Sequence, residues 1–187
     1  EIIWIISDKG IYKYSKENSK LTLALSTRKH FHSFRKYANK FIIGADNGQL
    51  YIYDPRKDDY SIMKFNTSAT LTRVKAYDSK HLLITAENDG FFLTDGYRGE
   101  GVHYTISNQL LSNEVNALYV EDSQKHIWIA YKNTTMITRI DSLGTYRKHY
   151  QLKMQKYDDS PRQISQDHDG RLWVFSKNEA LNYYDEK

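Results

Sequence analysis

His30 and His32 stand one residue apart, and on a strand both imidazoles would project from one face, which suits two ligands of a metal ion. No third ligand follows at a convincing spacing, so the pair reads as polar lining of a strand, and neither a metal nor any other cofactor is expected. Asp167-His168-Asp169-Gly170 opens like a calcium loop, but the Glu that should close such a loop is missing. It reads instead as a turn in which Asp accepts backbone hydrogen bonds and Gly takes the left-handed conformation. The chain has no Gly-x-Ser-x-Gly elbow, no Walker loop and no His-Glu-x-x-His. Carboxylates are plentiful but sit mostly in turns, where solvation accounts for them. A pair of acids for glycoside hydrolysis would be defined only by spacing in three dimensions. This segment is therefore expected not to be an enzyme.

The elements that position these residues are strands. Among 187 residues there are 16 Tyr, 7 Phe and 3 Trp, and aromatic side chains favour pleated, half-buried surfaces. Apolar residues almost never recur with helical spacing over ten positions, whereas short alternating runs such as Gln49-Leu50-Tyr51-Ile52-Tyr53 are common. At 40% hydrophobic, the chain can bury a core. Its longest apolar run, Ile2 to Ile6, is far too short for a membrane helix, so no membrane contact by this segment is expected. No signal peptide is visible, and the first residue is Glu, so a targeting segment is expected elsewhere. Without Cys there is no disulfide framework, thiolate site or Cys nucleophile. The net charge of +4 comes without a block of like charges, so no nucleic-acid partner is expected.

Five segments share one outline: an apolar tripeptide, a polar turn, an alternating run, then usually Asp. Taking Trp4, Ile42, Ile84, Trp128 and Trp173 as equivalent gives a period of 38 to 45 residues, that of a four-stranded propeller blade. An inner strand would precede each outline, at Phe31 to Lys36, Leu71 to Ala76, Val115 to Val120 and Arg162 to Gln166. An outer strand would follow, at Leu21 to Leu25, Tyr60 to Phe65, Gly101 to Ile106 and Tyr146 to Leu152. The count is eighteen strands, in sets of three, four, four, four and three. The fold class is all-β, a β-propeller present as part of a larger one. The blades are read as 1–26 (partial), 27–67, 68–108, 109–155 and 156–187 (partial), in a single propeller segment. Turns at Gly10, Gly48 and Gly90 should need positive φ. The tryptophans, placed by the repeat on middle strands, are assigned to packing between blades rather than to sugar stacking.

The stretch Tyr104-Thr-Ile-Ser-Asn108-Gln-Leu110-Leu-Ser112-Asn113-Glu-Val115, followed by Leu118, Glu121-Asp122 and Ile127-Trp128-Ile129, resembles the repeat of two-component regulator propellers. The last blade, Ile164-Ser-Gln-Asp167-His-Asp169-Gly170-Arg-Leu172-Trp173-Val174, is similar to it as well. Gln109 stands where that family prefers Gly, Ala130-Tyr131 replaces Gly-Thr, and the second and third repeats lack the Trp. Ser165-x-Asp167-x-x-Gly170-x-x-Trp173 also comes within one residue of the Asp-box of sialidase propellers, and is again read as a turn. The first resemblance implies the periplasmic sensor region of a Bacteroidetes-type hybrid two-component system. Receptors of that kind join propellers, a small β-sandwich and one membrane helix to a histidine kinase and a response regulator. The ligand it implies is an oligosaccharide, whose recognition would control polysaccharide-utilisation genes. The remainder of the same receptor chain would be a partner, and a homodimer of the full receptor is left open.

In a propeller, polar residues at the entrances to the inner strands are placed to meet a ligand. Here they are Arg28, His30, Arg73, Asn113, Glu114 and Arg162, with Tyr131 expected in a middle loop. Arg and Asn can make paired hydrogen bonds to sugar hydroxyls or carboxylates, and Tyr offers a flat apolar face. Several Arg residues would suit an acidic sugar. The competing expectations are a lyase or glycosidase, needing acids or a His/Tyr and Arg set at the channel mouth, and a protein-interaction scaffold. The second is weakened by the absence of Gly-His and Trp-Asp signatures.

Overall fold

Alternating apolar residues broken by polar turns produce five meandering sheets in the computed structural model. Residues 1–8, 10–96, 98–108, 110–142, 144–153 and 160–176 are described, together with the backbone of 181–184. The expected turn at Lys177-Asn178-Glu179, the family departure at Gln109, and Lys9 and Asp185 lie outside the described residues. Sheet 1 holds β1 (Ile2–Ser7), β2 (Gly10–Ser15) and β3 (Lys20–Ser26). Sheet 2 holds β4 (Phe31–Tyr37), β5 (Lys40–Ala45), β6 (Gln49–Asp54) and β7 (Asp59–Lys64). Sheet 3 holds β8 (Leu71–Ala76), β9 (His81–Ala86), β10 (Phe91–Asp95) and β11 (Gly101–Tyr104). Sheet 4 holds β12 (Val115–Val120), β13 (Ile127–Tyr131), β14 (Met136–Ile140) and β15 (Arg147–Gln151). Sheet 5 holds β16 (Pro161–Gln166), β17 (Leu172–Ser176) and β18 (Leu181–Tyr184). Strand follows strand in chain order within every sheet, and the pairings are antiparallel. Two compact units result: Glu1–Glu87 with Phe92–His103, and Asn88–Phe91 with Tyr104–Lys187.

Side chains alternate across a strand, and in the first unit both faces of sheet 2 are buried. Phe41, Ile43, Tyr51 and Tyr53 join Ile11, Leu25 and Trp4 of sheet 1 in one core. The alternate residues Ile42, Leu50 and Ile52 join Leu71, Val74 and Ile84 of sheet 3 in another. Trp4 meets Phe41 and Tyr53 edge-on, with ring centroids 5.0 and 5.5 Å apart. In the second unit Trp128, Ala130 and Ile137 of sheet 4 pack with Ile164, Leu172 and Val174 of sheet 5. Trp4 and Trp128 therefore pack between sheets, as their place in the repeat requires. Trp173 is only half-buried, and its indole N–H donates to Asp167 Oδ2 at 2.7 Å.

The register sharpens the repeat. A bulge falls near the start of each inner strand, between Phe31 and Ser33, Leu71 and Arg73, Val115 and Ala117, and Pro161 and Gln163. Counting from it, Arg35 faces Ile42, Lys75 faces Leu83, Tyr119 faces Trp128 and Ser165 faces Trp173. The third member of the tryptophan series is thus Leu83, not Ile84. Adjacent isoleucines and leucines look alike in sequence, but only one points to the correct face. Another departure is the third outer strand, which ends at Tyr104 rather than at Ile106. Side-chain oxygens of Asn108 and Asn113 take the Thr105 and Ile106 amides, at 2.6 and 2.7 Å, and turn the chain away from the sheet.

Asn47 and Gly48 both have positive φ, 57° and 64°, which matches the twist a tight hairpin requires. Gly90 is also left-handed. Gly10 corrects the expectation: it begins β2 without a positive φ, and it is small because a Cβ would lie 2.5 Å from the Leu25 carbonyl. At the other end of the inner strands, acids close the hairpins. Asp78 binds His81 at 2.8 Å, and Glu121 binds His126 at 3.1 Å. Asp167 accepts the amides of Asp169 and Arg171, with Gly170 left-handed, which is the turn expected there.

Gly90 gives a sharp test of this backbone. Its φ is +69°, and an added Cβ would sit 2.0 Å from the Tyr104 carbonyl, whereas the nearest atom at Gly170 is 3.9 Å away. Gly90→Ala should cost about 2–3 kcal/mol and Gly170→Ala about 1 kcal/mol in equilibrium denaturation.

Candidate ligand-binding site

In the first unit the loop entering β4 is tied to the turn after β5. Asp46 accepts the His30 amide at 3.1 Å and the His32 ring nitrogen at 2.7 Å. Burial pushes the Asp46 carboxyl upward, but these hydrogen bonds and the imidazole charges prevail and hold it below its ordinary value. The rings of His30 and His32 are 6.4 Å apart, tilted by 50°, and His32 is turned to the carboxylate. Among the described residues no three metal-ligating side chains come together. Arg28 and the His30 side chain are exposed beside this loop.

Arg73 lies exposed on β8, just past the bulge. Lys75 follows two residues later and is half-buried, while Arg35 is exposed on the neighbouring inner strand β4. Burial, with the charges of Arg35 and Arg73, pushes the Lys75 ammonium below its ordinary value. Three cationic side chains from two adjacent inner strands thus share one neighbourhood. Of the three, only Arg73 is among the residues the sequence singles out as candidate ligand contacts. The signal for Arg35 and Lys75 is their common register position, fifth in the inner strand, which becomes visible only once the bulge is counted.

In the second unit the expected contacts are largely structural. The Asn113 side-chain oxygen holds the Ile106 amide, and its carbonyl accepts the amides of Gly90 and Val115 at 2.9 and 3.0 Å. The Glu114 carbonyl accepts the Lys132 amide at 2.8 Å, and its carboxylate accepts Asn133 Nδ2 at 3.1 Å. Tyr131 is not in a loop. It ends β13, is fully buried, and donates its hydroxyl to Thr138 at 2.8 Å while accepting the Leu111 amide at 3.4 Å. Burial raises its phenol above the ordinary value. The ring face expected for a sugar is therefore enclosed, because the apolar end of β13 runs up to the turn at Lys132 and carries Tyr131 into the core. Arg162 is exposed at the bulge of β16. The structure thus joins Arg73 to a cationic group and His30 to the Asp46 loop. It makes Asn113 and Glu114 turn-forming residues and encloses Tyr131.

No family model matches this sequence, and none of the curated proteins matches it. Solved structures match the fold. A chain of the mitotic checkpoint complex superposes with a TM-score of 0.73 at 11% identity, over 98% of this chain and 57% of that one. The extracellular domain of the putative hybrid two component system BT3049 from B. thetaiotaomicron gives 0.70 at 12% identity, over 99% of this chain and 26% of that one. The computationally designed Ika4 protein gives 0.65 at 11% identity, over 85% of this chain and 92% of that one. At these identities the likeness is one of fold. The chain is all-β, built of antiparallel sheets like propeller blades, and it spans only 57% and 26% of the first two chains it resembles.

The Asp46 carboxyl is lowered by folding, so its contribution to stability is full above the ordinary carboxylate value of 3.8 and is lost as pH falls through the lower folded value. Asp46→Asn should flatten the acid limb of a denaturation-versus-pH profile and lose stability at neutral pH. An unchanged acid limb would contradict this role.

Proposed function

We propose that this chain is part of the ligand-sensing propeller of a periplasmic receptor, a sensor histidine kinase of the hybrid two-component type, and that its ligand is an oligosaccharide carrying carboxylate groups. The observation that carries the reading is the cationic group of Arg35, Arg73 and Lys75 on adjacent inner strands. The fold likeness to the extracellular domain of a putative hybrid two component system supports it. So does the resemblance of Tyr104 to Val115 to the regulator repeat, a stretch in which Asn108 and Asn113 hold the Thr105 and Ile106 amides.

On this reading the guanidinium groups of Arg35 and Arg73 each present a planar fork to a sugar carboxylate. Lys75 supplies a point charge that is already strained by its like-charged neighbours. An anion placed among the three relieves that repulsion, so binding should raise the Lys75 pKa. The segment binds its ligand without turning it over, and the kinase and the rest of the receptor chain carry the response. The ligand moves the receptor only through a difference in affinity between its signalling states.

Calorimetry on the complete sensor should show binding of a uronic-acid oligosaccharide and none of a neutral oligosaccharide of equal length. Arg73→Ala and Lys75→Gln should each weaken binding about tenfold, which is about 1.4 kcal/mol. No binding of any acidic oligosaccharide by the intact sensor, or binding indifferent to both substitutions, would overturn the reading.

A further inference from the structure

In the second unit the Leu111 amide, the Tyr131 and Thr138 hydroxyls and His149 form a hydrogen-bond chain whose direction is fixed from one end. The Leu111 amide, in the connection between β11 and β12, donates to the Tyr131 hydroxyl at 3.4 Å. That hydroxyl is 2.8 Å from Thr138 Oγ1, which is 2.9 Å from His149 Nδ1. A backbone N–H can only donate, so the Tyr131 oxygen accepts it and passes its own proton to Thr138. Thr138 then spends its single proton on His149. Nδ1 must be an acceptor, and the chain closes only on a neutral imidazole that carries its proton on Nε2. Tyr131 and Thr138 are fully buried, so water cannot replace a lost partner there, whereas His149 is exposed and meets solvent protons.

The same strand holds the same connection a second time. Arg147 shares a face of β15 with His149, two residues away, and its Nη1 donates to the Asn108 carbonyl at 3.0 Å. Its charge acts on both His149 and Tyr131. Across β14, Thr138 lies opposite His149, with uncharged Met136 and Ile140 on either side of it on this face. Arg139 and Lys148 point to the other face, over the rings of Trp128 and Tyr150 at 5.6 and 5.0 Å. From β11 comes the Tyr104 phenol, and the charge that acts on it is Asp141, whose carboxylate accepts the Thr145 and Tyr146 amides. Burial, then the Arg147 charge, holds His149 below its ordinary value, so these surroundings oppose proton uptake.

We propose that β15 latches the β11–β12 connection through neutral His149, and that proton uptake by this ring opens the latch. A protonated ring has no lone pair on Nδ1. If it stays in place it donates to Thr138, and one of the two buried hydroxyl protons is left without an acceptor. If it turns away, Thr138 loses its partner outright. Either way the chain that polarises the bond between Tyr131 and Leu111 is cut at its far end. The latch is closed above the ordinary imidazole value of 6.5 and opens as pH falls through the lower folded value. The connection leads into β12, where a ligand would arrive on the reading proposed above, but the latch does not depend on that reading.

Nuclear magnetic resonance on the full 187-residue chain provides the test. At neutral pH the imidazole nitrogen shifts of His149 should show the Nε2-protonated tautomer. The Leu111 amide should lose about tenfold in protection factor, a measure free of the intrinsic pH dependence of exchange, as pH falls through the His149 titration. The Ile129 amide, within β13, should not follow it. His149→Phe, at an exposed position, should give the unlatched protection at every pH. Thr138→Val should raise the His149 pKa, and Thr138→Ser, which keeps the hydroxyl, should restore it. A proton on Nδ1 at neutral pH, Leu111 protection indifferent to the titration, or a His149 pKa unmoved by Thr138→Val would overturn the proposal. Should the valine variant fail to fold, the tautomer and the His149→Phe profile decide the matter. Sugar binding is not a readout, so failure here and failure of the ligand assignment are separable.

Discussion

The structure depends on one constraint: sheets that are apolar on both faces must be covered on both faces. In β5, Ile42 turns to one core and Ile43 to the other, and both are fully buried. Each such side chain contributes about 1.5–3 kcal/mol by leaving water, and neither face could be satisfied by a sheet standing alone. Repetition is the economical answer, because the face that one sheet presents is the face that the next one needs. Sheet 1 shows the same rule from its uncovered side. Ile3 and Ile5 on β1 and Leu21 and Leu23 on β3 are exposed, and they align through Tyr14 and Tyr12 in two cross-strand rows.

This constraint explains why the fold was legible. Two-sided burial writes apolar residues at nearly every position of the middle strands, and Phe41-Ile42-Ile43 or Ile127-Trp128-Ile129 can hardly be anything else. The turns were legible for a separate reason, since Asn47-Gly48 and Asn88-Asp89-Gly90 need backbone conformations that few residues adopt. Register was not legible. The bulge in each inner strand shifts the pairing by one residue, and the residues at it, His32, Thr72, Asn116 and Arg162, are all polar but of no single type, so they look like any other outward-facing strand position. Hence Ile84 fits the linear repeat, whereas Leu83 holds the register position.

The site was less legible than the fold because polar residues serve turns as readily as ligands. Asn113 and Glu114 spend their hydrogen-bonding capacity on neighbouring backbone and on Asn133. Tyr131 is consumed by a buried chain of hydroxyls that runs through Thr138 to His149. The cationic group on which the proposed ligand site rests lies on two inner strands, where the charges of Arg35 and Arg73 act on Lys75. That grouping needs two strands in register, which a linear motif cannot express.

The most direct measurement of the central claim is residue-resolved hydrogen exchange across the first unit in its native state. If cover on both faces is what stabilises each sheet, the amides of β5 and β6 should open only with global unfolding, while those of β2 should exchange faster through local opening of sheet 1. Equal protection of β2 and β5, or a sheet 1 that outlasts sheet 2, would contradict the account.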